Sequence, residues 1–321
     1  MAYLCERIKN RNQTYEIRIL ECRSLDSLAV VPEEAAGLPV TELAPYVFSG
    51  HEDYNAAPRG ETFWWPQEEN SQELPVLSGN RLEELHLPSS LKKVGAYAFY
   101  NCENIKKMEL CSTTLDWGAG VFTGCIGVEE LTIHVDENRK SCMKEILAEL
   151  RQTLSVVYLG AQEARLIFSE FFEEAVENTP ARILVTNTHG CGQKYRNAFV
   201  NTQFQFLEYD SLFPHVKLQE SEDLVCRLAL GRMQYPYHLS EKYRQMYQEY
   251  LEEHSLAAAY GAVRKQDMEQ LQWLMEHIAY QGEQIAQVTQ AAARQGNESA
   301  TSYLMDRQRA KGNVRRKRFQ L

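Results

Sequence analysis

The chain has 321 residues, 44% hydrophobic and 24% charged, with a formal net charge of −10. That length exceeds one ordinary domain and predicts two or three; the hydrophobic share suffices for packed cores, and the acidic balance argues against a general nucleic-acid binder. The first ten residues, MAYLCERIKN, have neither the apolar core nor the cleavage site of a secretory leader, and no apolar run approaches the length of a membrane span, so the expected address is the cytoplasm.

In chain order, residues 1–31 read as a β-rich cap. TYEIRIL (Thr14 to Leu20) alternates and is β-branched, as a strand requires, and the terminal coil of a stacked array needs a cover. Val30 to Gly50 is the first recognisable coil. Residues 51–80 break the rhythm: Phe48 and Phe99 lie 51 positions apart, where two regular units would give 46. A degenerate coil with five extra residues and an inserted loop both fit. The stretch carries Pro58, Gly60, Pro66 and Pro75, and the aromatic run Phe63-Trp64-Trp65. Those aromatics are either a binding hot spot or a segment folded back onto the coil.

The clearest pattern follows. Leu82–Asn104 and Ile105–Gly127 repeat with a period of 23, and a third copy begins VEELTI at Val128. Leu85, Met108 and Leu131 fall in one column; Leu87, Leu110 and Ile133 fall in another. A period of this size with Leu at i, i+3 and i+5 marks a leucine-rich solenoid, in which stacking buries faces that a single unit cannot bury alone. Gly95 and Gly118 are expected at bends where glycine tolerates unusual φ. Phe99 and Phe122 are expected to fill the far side, with Cys102 and Cys125 as equivalent small buried hydrophobes. Two exposed acid–base–acid ladders are expected, Glu83–Lys106–Glu129 and Glu84–Lys107–Glu130. Between the inward leucines lie His86, Glu109 and Thr132, the candidate partner-binding residues of this face, with Trp64 and Trp65 as candidate anchors.

The pattern LxxLxLPxxLxxVGxxAFxxC, complete in Leu82–Cys102, resembles the BspA-type leucine-rich repeats of bacterial proteins. The second copy keeps most of it, with Cys111 at the Pro88 position and Thr114 at the Leu91 position. The resemblance covers roughly residues 28–135. It implies a bacterial solenoid that binds other proteins, and it brings no catalytic residues. Many such proteins are associated with cell surfaces, from which a cytoplasmic address departs.

After Val135 a helix is expected over Ser141–Leu150 and a strand over Leu154–Leu159, continuing the solenoid. Residues 160–221 are a mixed segment with strands at Ala164–Phe168 and Arg182–Thr186 and a His189-Gly-Cys-Gly192 loop. From Glu222 the chain reads as all helical. Ser255–His277 and Ile285–Arg307 repeat with a period of 30, and their Ala-rich helices and short turns resemble degenerate ankyrin repeats without the TPLH signature. The tail is basic, with Arg315, Arg316, Lys317 and Arg318 and no acid, and is expected to be mobile.

The predicted fold is therefore an α+β repeat protein: a leucine-rich β-solenoid with its cap (1–159), a mixed segment (160–221), a helical ankyrin-like array (222–306) and a basic tail (307–321). No HExxH, GxSxG, P-loop or CxxC pattern is present, so no cofactor or metal is expected. Three functional readings stay open: a non-catalytic scaffold for a protein partner, an enzyme around His189, Cys191 and Arg196, and a nucleic-acid adaptor using the tail. Thiol catalysis requires a base and an orienting group, which adjacent sequence does not supply.

Overall fold

In the computed structural model, which describes residues 1–51, 57–67, 70–178 and 183–318, the chain divides into two units, Met1–Glu208 and Tyr209–Leu321. The first opens with an antiparallel hairpin of β1 (Ala2–Lys9) and β2 (Tyr15–Arg23). Its alternating residues send Ile17 and Ile19 fully inward. β3 (Leu28–Val30), β4 (Glu34–Ala35) and β5 (Leu38–Leu43) then form the first coil, with β5 parallel to β2. The hairpin thus covers the end of the stack, as a terminal coil needs.

After Gly50 the chain leaves the solenoid. β6 (Thr62–Trp65) turns back and pairs antiparallel with β1, Trp64 opposite Leu4 and Trp65 opposite Tyr3. The coil carrying Phe48 nevertheless lies directly against the coil carrying Phe99, with ring centroids 5.7 Å apart. Of the two readings of residues 51–80, the inserted excursion is correct. A degenerate coil would have separated those rings.

The regular coils follow as β7 (Glu84–His86), β8 (Lys93–Val94), β9 (Lys107–Cys111), β10 (Asp116–Trp117) and β11 (Glu130–His134). α1 (Met143–Glu149) replaces a loop before β12 (Leu154–Leu159), and β13 (Glu163–Phe168) closes the sheet antiparallel to β12. One long sheet has the order β13-β12-β11-β9-β7-β3; the short strands β10, β8 and β5 join the cap hairpin and β6 in a second. Leu85, Met108, Leu131 and Val156 are direct neighbours across the first sheet, each at most 2% exposed. On the opposite wall Phe99 stacks on Phe122 at 5.8 Å. Cys102 Sγ donates to the Phe48 carbonyl at 3.0 Å and Cys125 Sγ to that of Phe99 at 3.1 Å. Burial pushes the Cys125 thiol up to about 12, and Cys102 the same way, so both stay protonated at neutral pH. No disulfide joins the eight cysteines.

Gly95 and Gly118 differ from expectation in their cause. Neither has a positive φ. A Cβ on Gly95 would lie 2.2 Å from Pro45 N, and one on Gly118 2.3 Å from Ala96 N. Coil-to-coil approach, rather than a bend, requires glycine there. The left-handed corner falls two residues later, at Tyr97 and Gly120.

Glu16 fastens the cap to the coils, accepting from Lys92 Nζ at 2.7 Å, Asn10 Nδ2 at 2.8 Å and Thr41 Oγ1 at 2.8 Å. Burial raises its pKa, but these hydrogen bonds outweigh burial and hold the carboxyl below the usual range. A depressed folded-state pKa contributes stability that is present above the unfolded value, about 4.3, and lost as pH falls through the folded one. Glu16→Gln should therefore lower the melting temperature at pH 7 and converge with wild type as the pH is lowered into the acid range. Thermal melts across pH check this; a constant difference between the two proteins would contradict it.

The unit ends with a two-stranded ribbon, β14 (Phe172–Asn178) and β15 (Ile183–His189), then α2 (Gly192–Arg196), and a tight hairpin of β16 (Phe199–Val200) and β17 (Gln203–Phe204).

The second unit is helical. After α3 (Phe206–Ser211) and α4 (Phe213–Gln219) come three helical hairpins. They are α5 (Glu222–Gln234) with α6 (Glu241–Glu253), α7 (Ser255–Arg264) with α8 (Met268–His277), and α9 (Gly282–Arg294) with α10 (Glu298–Arg318). α5 packs on α7, and α7 on α9. The 30-residue period is real in three dimensions. Gln266 and Gly296 both take positive φ. Asp267 Oδ1 accepts from Gln270 N at 2.9 Å and Asn297 Oδ1 from Ala300 N at 3.1 Å, the same N-cap in each turn. Arg315, Arg316, Lys317 and Arg318, expected to be mobile, fall in the last turns of α10, and the side chains from residue 310 onward lie outside the described residues.

Candidate functional site

The outward face of the long sheet carries a connected polar cluster. Strand alternation, which sends Leu85, Met108 and Leu131 inward, sends their neighbours out. Parallel pairing then puts residues of equal repeat position side by side. His86, Glu109, Thr132 and Val157 form one row, and Glu84, Lys107, Glu130 and Ser155 the next. The three sequence candidates on this face, His86, Glu109 and Thr132, are therefore direct neighbours in a line.

Their side chains connect differently from the expected ladders. His86 is held between two carboxylates, Nε2 at 2.8 Å from Glu84 Oε1 and Nδ1 at 3.0 Å from Glu109 Oε2. The other Glu109 oxygen lies 2.7 Å from His134 Nε2. Glu84, His86, Glu109 and His134 thus form a continuous string across three strands. Its members are 33–46% exposed. The Glu84–Lys107–Glu130 ladder keeps its backbone register but makes no ion pair among the described residues; Glu84 turns to His86 instead. In the other ladder Lys106 pairs with Glu129 at 3.3 Å, while Glu83 accepts from Ser27 Oγ at 3.0 Å. Such exposed contacts add little stability. What they do is fix the directions of four polar side chains on a rigid sheet. His134 is absent from the sequence candidates, though it stands one repeat after Cys111 and was visible as such.

Trp64 and Trp65 are half-buried on β6, the edge strand of the second sheet. The Arg23 guanidinium lies over Trp64, 5.1 Å from the ring centroid. The pair packs onto the cap hairpin, away from the His86 row.

The three residues of the enzyme alternative have different settings. His189 is exposed, stacks on Phe172 at 4.7 Å and faces Glu174 at 3.2 Å. Cys191 is 1% exposed beneath the start of α2. Arg196 is buried and donates to main-chain carbonyls: Leu147 at 2.8 Å, Leu150 at 2.9 Å, Gln152 at 2.7 Å, Ser169 at 2.5 Å and Gly192 at 3.1 Å. Burial lowers its pKa to about 10, which leaves it charged at neutral pH. It is a clip between α1, β12, β13 and α2. Among the described residues no three His, Cys, Asp or Glu side chains converge as metal ligands, and no helix is long and apolar enough to cross a membrane.

Stacked coils with a parallel sheet on one wall define a leucine-rich repeat solenoid. The family model for the BspA type leucine rich repeat region matches residues 76–163, in six copies. Two solved structures are similar over about half of the chain. One is a leucine rich cell surface protein from Faecalibacterium prausnitzii A2-165, at 17% identity and a TM-score of 0.25, with 50% of this chain and 32% of that one covered. The other is a leucine rich repeat protein of T. pallidum, at 18% identity and a TM-score of 0.20, with 49% and 78% covered. The chain thus spans about a third of the first of these. No curated protein matches it.

Proposed function

We propose that the protein is a non-catalytic scaffold that binds a protein partner on the outward face of its solenoid sheet, with the helical array, read as ankyrin-like, offering a second surface. The observation that carries this reading is the hydrogen-bonded string Glu84–His86–Glu109–His134 beside Thr132. These are polar groups held in fixed directions on a rigid wall, which offers a contact face. Preorganised side chains reduce the ordering cost of association. Trp64 and Trp65 are the second candidate contact. A cytoplasmic, reducing setting is part of the proposal, and the stacked thiols of Cys102 and Cys125 suit it.

The test is affinity capture by the full chain from a native bacterial lysate, with bound proteins identified by mass spectrometry. A His86→Ala/Glu109→Ala/Thr132→Ala variant with a wild-type melting curve should lose a protein that the wild type retains. An unchanged set of bound proteins would move the binding face elsewhere, and a parallel Trp64→Ala/Trp65→Ala variant would then locate it. Substrate turnover abolished by Cys191→Ser would overturn the reading.

A further inference from the structure

The excursion between the first two coils builds something the solenoid does not need. Residues 57–65 run along the outside of the cap hairpin, and the N–H groups of Arg59 and Gly60 donate to the buried Glu6 carboxylate. The other oxygen of Glu6 lies 2.8 Å from Arg18 Nε, with the two side chains 0% and 1% exposed. Between this strap, the hairpin and β5 is a cleft of about 900 Å³, within the range of small-molecule sites.

Arg18 lies at its inner wall. Nη2 donates to the Ala57 carbonyl at 3.3 Å. Nη1 is different: the Glu42 carboxylate stands 4.0 Å away, too far for a hydrogen bond. Glu42 is itself 3.8 Å from Lys93 Nζ. One edge of a buried guanidinium therefore lies against the Glu6 carboxylate, while Nη1 has no hydrogen-bond partner among the described residues and is left to the cleft that Arg18 lines. Arg7, Lys9 and Arg59 stand around the opening, so four cations and the two carboxylates Glu42 and Glu61 line the cleft, in a chain of net charge −10. Guanidinium donors match oxyanions in geometry and charge. A guanidinium whose side chain is already buried, here 1% exposed, loses little further freedom on binding.

We propose that this cleft binds a small ligand bearing a carboxylate or phosphate group, with that oxyanion seated on Arg18 Nη1 and drawn in by Arg7, Lys9 and Arg59. Ile8 and Leu38 provide apolar wall for the rest of the molecule. The site is independent of the sheet face, and either proposal can fail alone.

Arg18 is unsuited to the test, because removing it strands the Glu6 carboxylate in the interior. Two other variants address the cleft from different sides. Arg7→Gln/Lys9→Gln removes rim charge, and Leu38→Trp fills the space without changing charge. Sodium pyrophosphate and sodium citrate are titrated calorimetrically into the full chain at ~10 mM salt, where charges are little screened. At least one anion should bind saturably at one site, and each variant should weaken it by about tenfold or more, roughly 1.4 kcal/mol. His86→Ala should leave it unchanged. Tighter pyrophosphate binding identifies a phosphate ligand, and tighter citrate binding a polycarboxylate. Absence of saturable binding by both anions at low millimolar concentration overturns the proposal, as does wild-type binding by either folded variant. Should one variant fail to fold, the other decides.

Discussion

Replacing Asp210 with alanine should destabilise the helical unit by about 3–5 kcal/mol, the range for removing one partner of a buried ion pair. Asp210 and Arg232 are both 0% exposed. The carboxylate accepts from Arg232 Nε at 2.8 Å and Nη2 at 2.9 Å, and from the Tyr247 hydroxyl at 2.7 Å. Arg232 also donates to the Tyr235 and Tyr237 carbonyls at 3.3 and 3.0 Å. This pair joins the segment before α4 to α5 and, through Tyr247, to α6. Alanine would leave a cation in the interior without its anion. Hydrogen exchange of the full chain should show lost protection at the amides of α5 and α6. A loss equivalent to less than about 1 kcal/mol would mean that water reaches Arg232 and the pair is not closed.

Arg196→Met should weaken the solenoid's far end by more than about 4 kcal/mol, since several buried carbonyls lose their donor at once and each such loss costs about 1–3 kcal/mol. Methionine keeps the stem that fills space beside Phe168 and Phe171, over whose rings the guanidinium sits at 5.8 and 5.1 Å. The experiment thus isolates the hydrogen bonds from the packing. For a unit of this size the loss corresponds to a fall in melting temperature of about 10 °C or more. A fall below about 3 °C would show that water replaces the donors.

The solenoid was legible because its repeat meets itself in space: equal positions in successive units become neighbours, so Leu85, Met108 and Leu131 announce a column before any coordinates exist. The same logic placed His86, Glu109 and Thr132 in one row. It did not give the directions of those side chains, because His86 chooses between carboxylates on its own strand and the next. It also misassigned the reason for Gly95, whose constraint is Pro45 on the neighbouring coil rather than its own φ. Arg196 was invisible as a clip for a different cause. Its partners are main-chain carbonyls 4–49 positions away, and carbonyls leave no mark on residue identity. The Arg18 cleft was hidden likewise, since it needs β1, β2, β5 and the excursion together.

The excursion leaves and rejoins the solenoid at a single corner. Gly79 N donates to the Phe48 carbonyl at 2.9 Å, and a Cβ on Gly79 would lie 2.8 Å from the Cα of Gly50. Its two feet touch, so the coils above and below keep their pitch however much chain hangs between them. Doubling the length of such a closed loop costs only about 0.6 kcal/mol. The corner is therefore a graft point, where a lineage can lengthen, shorten or exchange a module while the rod that carries it stays in register.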